Sequence, residues 1–464
     1  MSATVSDRLT DFILHYREAG VPPAVCREAK RLLINQLKAS VGATEREVVQ
    51  VLRRWIDESG AGSDRRSTVL WLGKVATPEH AAMVNGALFE VLDFNDTYIP
   101  TFMHATSGVL AALLAVAESR CDGGARMLNA LALGIEVELA CARILMPSGY
   151  YRGFLPGGLV GGIGAAAACA ALAGLDRTHT RNAIGIAMLS AFGTYESVGS
   201  MGLPYIVGAT ARSGLTAFEL AAHGLDAPPT AFEGEKGLLA ACSDESADKI
   251  GPVLGSLGST WEIHQQSYKT VPTETITHAP IELVLALLAR RRSRSLVRLR
   301  FRVSPIVVEI ADERRTRFGR PSSELTARFD LRYCAAAAWH RGRFTLAEMT
   351  PEAYEDPEIL ALRALVDLIP DERYPTFEGA SLEAVFSDGS TEHANVDRFL
   401  GTPGNPLSDP QLSALFASAA DGLLPSERIA AILDAAWRLE QIPDVSAFTS
   451  LLTFSDKAGA RPVE

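Results

Sequence analysis

The chain has 464 residues, of which 47% are hydrophobic and 21% are charged, and its formal net charge is −11. This length and composition suit two or three globular domains and exclude a disordered, collagenous or coiled-coil chain. The acidic balance and the lack of a basic run with interleaved aromatics argue against nucleic acid or an anionic membrane as partners. None of the six cysteines forms a CxxC pair, which favours reduced thiols and a cytoplasmic location.

The first 262 residues are predicted to be almost entirely helical. Alanine and leucine dominate this stretch, apolar residues recur at i, i+3 and i+4, and Gly or Pro marks the stops. An amphipathic N-terminal helix is expected, with Ser6 or Asp7 as its N-cap. The further predicted helices span 23–43, 78–93, 105–118, 125–146, 157–174, 177–193 and 206–224.

One of these helices lies in an uncharged stretch that is long enough to cross a bilayer. Residues 157–175 read GGLVGGIGAAAACAALAGL, which is rich in Gly and Ala rather than in Leu and Ile. No second segment of comparable length accompanies it. We therefore expect a helix buried on all sides in a helical domain, and no membrane partner.

The pattern changes after about residue 265. Val297, Leu299, Phe301 and Val303 alternate with arginines, which predicts a strand with one solvent-exposed face. Residues 305–310 are expected to extend the same sheet.

A hairpin is predicted further along, where strands at 382–387 and about 391–397 flank the turn signal Asp388-Gly389. The remaining predicted helices span 325–342, 355–369, 408–422 and 425–439. The sequence therefore predicts a mostly α fold, with a large all-helical domain and a smaller α+β domain. The predicted boundaries are 1–264 and 401–464 for the discontinuous helical domain and 265–400 for the α+β domain.

The sharpest polar cluster follows the helix predicted at 78–93. Asp93, Asp96 and Thr97 come at its end, and His104 follows seven residues later. General acid–base chemistry requires such groups close together with separated pKa values. The alternative is ordinary helix capping, which the spacing by itself favours.

A second polar cluster, YKTVPTETITH at 268–278, lies at the junction of the two predicted domains, where small-molecule sites tend to form. Lys269 can hold a carboxylate and His278 can exchange a proton near neutral pH. The alternative is a surface loop followed by a helix start, with Thr277 as the cap.

The chain contains no HExxH pattern, dinucleotide fingerprint or P-loop, so we expect no metal and no cofactor.

These clusters belong to segments that resemble the MmgE/PrpD family, which includes 2-methylcitrate dehydratase, cis-aconitate decarboxylase and iminodisuccinate epimerase. The segments are VNGALFEVLDFNDTYIPTFMHATSGVLAALLAVAE at 84–118, GYYRGFLPGGLVGGIGAAAACAALAGL at 149–175, GATARSGLTAFELAAHGLDAPPTAFEGEKG at 208–237, YKTVPTETITHAPIELVLAL at 268–287 and PSSELTARFDLRYCAAAAWHRGRFTLAEM at 321–349. The resemblance covers nearly the whole chain. It implies a large all-helical domain, a smaller α+β domain and a homodimer.

The resemblance also implies which residues are catalytic. The family's DFDDT motif places its first Asp at Asp93, and the family His just beyond it falls on His104. The Lys and His of the second cluster fall on Lys269 and His278. A family active-site Tyr at the start of an alanine-rich helix falls on Tyr333.

Several polar positions of the family are apolar or neutral here. The histidine of the family's GF/W-H-P-T motif corresponds to Leu155. The lysine and histidine of its T-K-P-L/M-H segment correspond to Leu203 and Ile206, and the middle Asp of DFDDT is Asn95. An unpaired carboxylate against apolar side chains costs several kcal/mol. We therefore expect a substrate that is less anionic and more apolar than citrate-type acids.

The predicted function is a cofactor-independent lyase, with isomerase as the second choice, acting on a small molecule. It would abstract a proton next to a carboxylate or carbonyl, leading to dehydration, elimination, isomerisation or ring formation. The residues expected to bind the substrate are Thr97, Leu155, Leu203 and Arg212. The alternatives are a degenerate family member that binds a ligand or partner without turnover, and a conventional 2-methylcitrate dehydratase or cis-aconitate decarboxylase.

Overall fold

The computed structural model describes residues 3–59, 66–289 and 295–454. The chain divides into two compact units, and each is described by itself. Unit 1 is drawn from the chain up to Gln266 and from Ser408 onward, and unit 2 is Ser267–Leu407. The mostly α fold class is confirmed.

Unit 1 is built almost wholly of helices. In chain order they are α1 (Val5–Ala19), α2 (Pro23–Ser40), α3 (Glu47–Glu58), α4 (Pro78–Glu90), α5 (Ala105–Ser119), α6 (Gly124–Leu145), α7 (Ser148–Tyr151), α8 (Pro156–Ala173), α9 (Arg177–Leu189), α10 (Gly202–Ala222), α11 (Leu238–Cys242) and α12 (Ile250–Gly255). Helices α2, α4, α5, α6, α8, α9 and α10 lie close to the predicted ranges, whereas α3, α7, α11 and α12 were not predicted. The prediction of the first helix start was wrong. Thr4 is the N-cap, and its side chain exchanges hydrogen bonds with Asp7 in a capping box.

Unit 1 also contains a small hairpin that was not predicted from the sequence. Strands β1 (Ser67–Val69) and β2 (Lys74–Ala76) pair antiparallel. Three residues on each side are too short to show a sustained alternation of polar and apolar residues, so no periodic signal marks them.

Helix α8 is the apolar stretch that could span a membrane by length and composition. It packs against α5, α6, α9 and α10 of the same unit, and 89% of its residues are buried. Glycine permits the close approach to α6, because a Cβ on Gly164 would lie 2.7 Å from the Glu138 side chain. This is the environment of a core helix.

Helix α4, which leads into the first polar cluster, is held against α10 by a second close contact. A Cβ on Gly208 would lie 2.2 Å from the carbonyl oxygen of Met83. Only glycine allows the two backbones to meet at this distance. The position of α4 is therefore set by backbone contact as well as by side-chain packing.

In its described residues, 267–289 and 295–407, unit 2 combines six α-helices with a four-stranded sheet. The helices are α13 (His278–Leu288), α14 (Pro305–Phe318), α15 (Glu324–Ala327), α16 (Leu331–Arg341), α17 (Pro351–Tyr354) and α18 (Pro357–Arg363), and the strands are β3 (Leu296–Val303), β4 (Val366–Pro370), β5 (Ala380–Phe386) and β6 (Thr391–Val396). The strand order is β4-β3-β5-β6. Strand β3 pairs parallel with β4, Leu299 opposite Val366, and antiparallel with β5.

Three predictions in this unit need correction. Residues 305–310 form the start of α14 rather than a strand, because Ser304 and Pro305 mark a helix start. The predicted helix at 355–369 ends at Arg363, and the chain then forms strand β4. The predicted helix at 325–342 is broken before Asp330, whose side chain caps α16 by accepting the Tyr333 N–H.

The chain returns to unit 1 with three further helices, α19 (Asp409–Ala420), α20 (Ser426–Trp437) and α21 (Ser446–Thr449). Helices α19 and α20 pack against α2. An exposed ion pair of 2.5 Å joins Arg27 of α2 to Asp409 at the start of α19. The C-terminal segment thus completes the helical unit.

Candidate active site

The connection between α4 and α5 brings the first polar cluster together. After α4 ends, Asp93 adopts a left-handed backbone conformation with φ of 49°. The chain then makes a short 3-10 helix at Ile99–Thr101 and closes on itself through a 2.7 Å hydrogen bond from the Tyr98 N–H to the Met103 carbonyl. This folding places His104 at the N-cap of α5.

His104 lies between a backbone carbonyl and two carboxylates. Its Nδ1 is 2.6 Å from the Asp96 carbonyl oxygen, and a carbonyl can only accept, so Nδ1 carries a hydrogen. Its Nε2 is 3.6 Å from Asp93 Oδ1 and 3.8 Å from Glu90 Oε1. The Thr97 hydroxyl is 3.3 Å from Nδ1. The ring is therefore oriented for proton transfer at Nε2.

The two carboxylates are far more buried than the imidazole. The His104 side chain is 24% exposed, against 6% for Asp93 and 2% for Glu90. Asn95 Nδ2 donates to Glu90 Oε2 at 2.6 Å and also contacts Ser107 Oγ at 2.8 Å. Such hydrogen bonds offset the cost of keeping a carboxylate away from water.

Asp96 has a different role from the one its spacing suggests. Its carboxylate accepts from Gln36 Nε2 at 2.7 Å and from Thr106 Oγ1 at 2.9 Å, while its carbonyl faces His104. Asp96 thus ties the loop to α2 and α5. Of the two aspartates singled out from the sequence, Asp93 is the one whose carboxylate meets the imidazole.

Several members of this cluster were not predicted from the sequence. Glu90 lies in the quoted segment but was given no role. Gln36 and Lys38 come from α2, far away in the chain, and Lys38 Nζ lies 3.8 Å from the centre of the Phe94 ring. A signal was available, because the stretch RLLINQLKAS sets polar residues inside an apolar helix, and Asn35, Gln36 and Lys38 are all fully buried.

Lys269 and His278 both lie in unit 2, and both are almost completely buried. His278 is the first residue of α13, its Nε2 is 3.4 Å from the Thr273 carbonyl oxygen, and its ring packs on Phe399. Thr277 is the N-cap residue of α13, as expected, but its hydroxyl donates to the Glu274 carbonyl and makes no capping hydrogen bond. The surface-loop alternative is wrong, because most of residues 268–278 are buried.

Tyr333 is fully buried at the start of α16. Its hydroxyl donates to the Glu348 carbonyl at 2.5 Å, and burial raises the pKa of the phenol. Within unit 2 the Tyr333 side chain thus has a structural contact, and donation to a substrate would require it to exchange that hydrogen bond.

The apolar positions that replace family polar residues lie near one another in unit 1. Leu155 is the N-cap of α8, and its N–H donates to the Gly193 carbonyl at 3.1 Å. Ile206 of α10 packs against Gly193, since a Cβ there would lie 3.0 Å from the Ile206 side chain. Leu203 is the second residue of α10. Leu155 and Ile206 therefore border the same glycine.

Arg212 lies further along α10, with its guanidinium 5.5 Å from the Trp55 ring. It lines a surface pocket of about 240 Å³ together with Tyr205 and Leu220. The lining of this pocket includes none of the residues around His104.

Within residues 3–59, 66–289 and 295–454, no group of three or more His, Cys, Asp or Glu side chains could hold a metal ion.

Models of known protein families match both units of the chain. The MmgE/PrpD N-terminal domain matches residues 7–250, and the MmgE/PrpD C-terminal domain matches residues 271–439. The chain belongs to the MmgE/PrpD family. The two matches agree with the large helical domain and the smaller α+β domain expected of this family.

Three relatives of this MmgE/PrpD chain align over nearly all of it. Human cis-aconitate decarboxylase is 27% identical, covering 92% of this chain and 90% of the relative. The mouse enzyme of the same name is 26% identical, with 97% and 94% covered. The cis-aconitate decarboxylase-like protein oryM of Aspergillus oryzae is 23% identical, with 97% of each covered. Family and relatives together support a lyase-type enzyme.

Proposed function

We propose that this chain is a cofactor-independent lyase that abstracts or delivers a proton next to a carboxylate or carbonyl group. The observation that carries the proposal is the placement of His104, whose Nε2 is flanked by the buried carboxylates of Asp93 and Glu90 while its Nδ1 is held by a backbone carbonyl. A part-exposed imidazole oriented in this way suits general acid–base catalysis. Isomerisation by the same proton transfer is the second choice.

Each proposed role follows from the chemistry of the side chain. His104 and His278 act as the acid–base pair, one removing a proton and the other donating one or polarising the carbonyl. Lys269 stabilises the negative charge of the enolate that forms. Asp93 orients His104 or binds the reacting hydroxyl, Thr97 completes the hydrogen bonds around the ring, and Tyr333 donates a hydrogen bond.

The proposed substrate carries fewer carboxylates than citrate-type acids. The Leu155 N–H donates to the Gly193 carbonyl, and the Ile206 side chain packs against the same glycine. We propose that these two side chains, which stand where the family has polar groups, contribute to one apolar surface. A carboxylate placed against this surface would lose its hydration without gaining a partner. Leu203 is proposed to add to this surface. Arg212 is given no role in the proposed site, because the pocket that it lines includes none of the residues around His104.

A second candidate is decarboxylation of cis-aconitate itself, and the names of the three relatives favour it. The two candidates make opposite predictions about the charge of the preferred substrate. A cis-aconitate decarboxylase would prefer the tricarboxylate, whereas the altered surface predicts a preference for less charged acids.

The test is a panel of acids in D₂O, followed by NMR and mass spectrometry with the whole chain. The panel contains cis-aconitate, 2-methylcitrate, simple hydroxy acids and more apolar analogues. Deuterium uptake or water loss in a less charged acid supports the proposal. Rapid CO₂ release from cis-aconitate supports the second candidate. Exchange that persists unchanged in His104→Ala contradicts the assigned role of this residue.

A further inference from the structure

An aromatic cluster stands beside the loop that carries His104. The Phe102 and Tyr150 ring centres are 5.2 Å apart, and those of Tyr150 and Tyr195 are 4.8 Å apart. The Tyr150 hydroxyl donates to the Tyr195 hydroxyl at 2.9 Å. Tyr151 adds a fourth ring, 5.4 Å from Tyr150. We call Phe102, Tyr150 and Tyr195 the aromatic cluster.

This cluster is continuous with the residues of the proposed active site in unit 1. Phe102 lies two positions before His104. The Tyr195 N–H donates to the Gly153 carbonyl at 2.9 Å, and the Leu155 N–H donates to the Gly193 carbonyl at 3.1 Å. The segment that carries Tyr195 therefore runs alongside the segment that carries Leu155, a residue of the proposed apolar surface.

The burial of these rings differs from that of core aromatics. Phe102, Tyr150 and Tyr195 are each only partly buried, and Tyr151 is 59% exposed. Core rings of the same unit, such as Phe89, are completely inaccessible. A group of adjacent, part-exposed aromatic side chains beside a polar site is typical of the wall of a ligand pocket.

The backbone of Phe102 supports the same interpretation. Its φ is 56°, a left-handed conformation that bulky L-residues rarely adopt. Asn or Gly would fit this position with less strain. Strained backbone of this kind clusters at functional sites, where the direction of a side chain matters.

We propose that the aromatic cluster binds an aromatic or other planar apolar substituent of the substrate. This inference rests on the proposed function and names the substrate class, which is an α-acidic carboxylic acid with a planar apolar group in place of the third carboxylate of a tricarboxylate. The ring faces carry negative quadrupole density, so they attract an aromatic edge and repel a carboxylate.

Binding of three acids that share a succinate core tests the inference. Phenylsuccinate, methylsuccinate and propane-1,2,3-tricarboxylate differ only in one substituent, which is a phenyl, a methyl or a carboxymethyl group. Isothermal titration calorimetry gives the three dissociation constants without requiring turnover. We expect phenylsuccinate to bind at least about tenfold more tightly than either of the others.

Single variants locate the source of this preference. Phe102→Leu and Tyr195→Leu each remove a ring and keep apolar volume. Because the contact between two rings is what favours the phenyl group, each variant is expected to reduce the advantage of phenylsuccinate to about threefold or less. Tyr150→Phe keeps the ring and should keep the preference. The matched control is Tyr16→Leu, which removes a ring from a separate cluster with Phe12 and Trp261 in the same unit.

Each possible result of the binding and exchange measurements supports or overturns a stated part of the proposal. Equal affinity for the three acids, binding of none of them, or tightest binding of the tricarboxylate overturns it, as does an equal loss of preference in Tyr16→Leu. A preference for phenylsuccinate without any deuterium exchange in the panel counts against the proposed function alone. Exchange without that preference counts against the aromatic site alone.

Discussion

The Nε2 atom of His104 lies 3.6 Å from the Oδ1 atom of Asp93. The carboxylate is almost fully buried and the imidazole is partly exposed. Of the two groups, the imidazole is therefore the one that solvent or a substrate can reach. At this distance the carboxylate can attract a protonated imidazole. A histidine in this position can hold a proton next to a buried negative charge and release it to a substrate.

Removal of the His104 side chain should abolish catalysis with little effect on folding. The ring makes one close hydrogen bond, to the Asp96 carbonyl, and Nε2 is beyond hydrogen-bond distance of both carboxylates. His104→Ala is therefore expected to lower proton exchange by at least about 100-fold and to leave the thermal midpoint nearly unchanged. His179→Ala, at the exposed start of α9, is the control. A large fall in the midpoint would identify His104 as a structural residue.

Restoration of the family's aspartate at position 95 should destabilise this chain. Asn95 is completely buried and donates to Glu90 at 2.6 Å, so Asn95→Asp would set two carboxyl groups against each other. We expect a loss of about 3 kcal/mol in the free energy of unfolding, which urea denaturation measures. The double variant Glu90→Gln/Asn95→Asp should recover most of this loss. Equal stability of Asn95→Asp and the unmodified chain would contradict the assigned contact.

Two polar side chains restored together at the apolar surface should raise turnover of cis-aconitate more than either one alone. Leu203→Lys alone is expected to give little turnover of cis-aconitate, because Leu155 still offers no partner to a second carboxylate. The double variant Leu155→His/Leu203→Lys should exceed either single variant in CO₂ release. Leu203→Met controls for a change of shape without charge. High activity of Leu203→Lys by itself would show that the apolar surface does not restrict the substrate.

Glu136 should make the stability of unit 1 fall as pH rises. Burial raises the pKa of the Glu136 carboxyl from 4.5 to about 7, although it accepts a hydrogen bond from the Ile263 N–H. The folded state therefore holds a proton that the unfolded state has released, so this contribution to stability is present below pH 4.5 and is lost as pH rises through 7. Its size is on the order of 3 kcal/mol.

Glu136→Gln tests this pH dependence, since Gln keeps an acceptor for the backbone N–H. The variant should flatten the fall in urea midpoint between about pH 5 and about pH 7.5 and should be the more stable form at about pH 8. Glu358→Gln, whose side chain is 77% exposed, is the control and should follow the unmodified chain. An unaltered slope in Glu136→Gln would count against a buried, protonated carboxyl.

The glycine contact between α4 and α10 should be intolerant of any side chain. A methyl group at position 208 would collide with the Met83 carbonyl, so Gly208→Ala is expected to cost more than about 2 kcal/mol. Gly251→Ala, in α12 with open space around it, should be neutral or stabilising by about 0.5–1 kcal/mol. Because α4 ends at Glu90, a shift of this helix should also lower proton exchange. A stable, fully active Gly208→Ala would contradict the close approach.

Local sequence determined where most elements form. The helix predicted at 105–118 is α5 and the strand predicted from residue 297 is β3, because side-chain periodicity of about 3.6 or 2.0 residues is a local property of the chain. The prediction failed at 305–310 and at β4. Val-Val-Glu-Ile has the composition of a strand, but the Ser304-Pro305 start made it a helix. The residues of β4 form a strand because β3 lies beside them.

The sequence by itself determined the family, the two-part architecture and the presence of Asp93, Thr97 and His104 in one short segment. Only the tertiary structure decided which carboxylates meet the imidazole. Asp96 turns its carbonyl to His104 and its carboxylate to α2, while Glu90, passed over in the sequence, takes the place beside Nε2. The reason is physical: spacing along a chain limits which groups can be near one another, but the direction of each side chain is set by packing against helices distant in sequence.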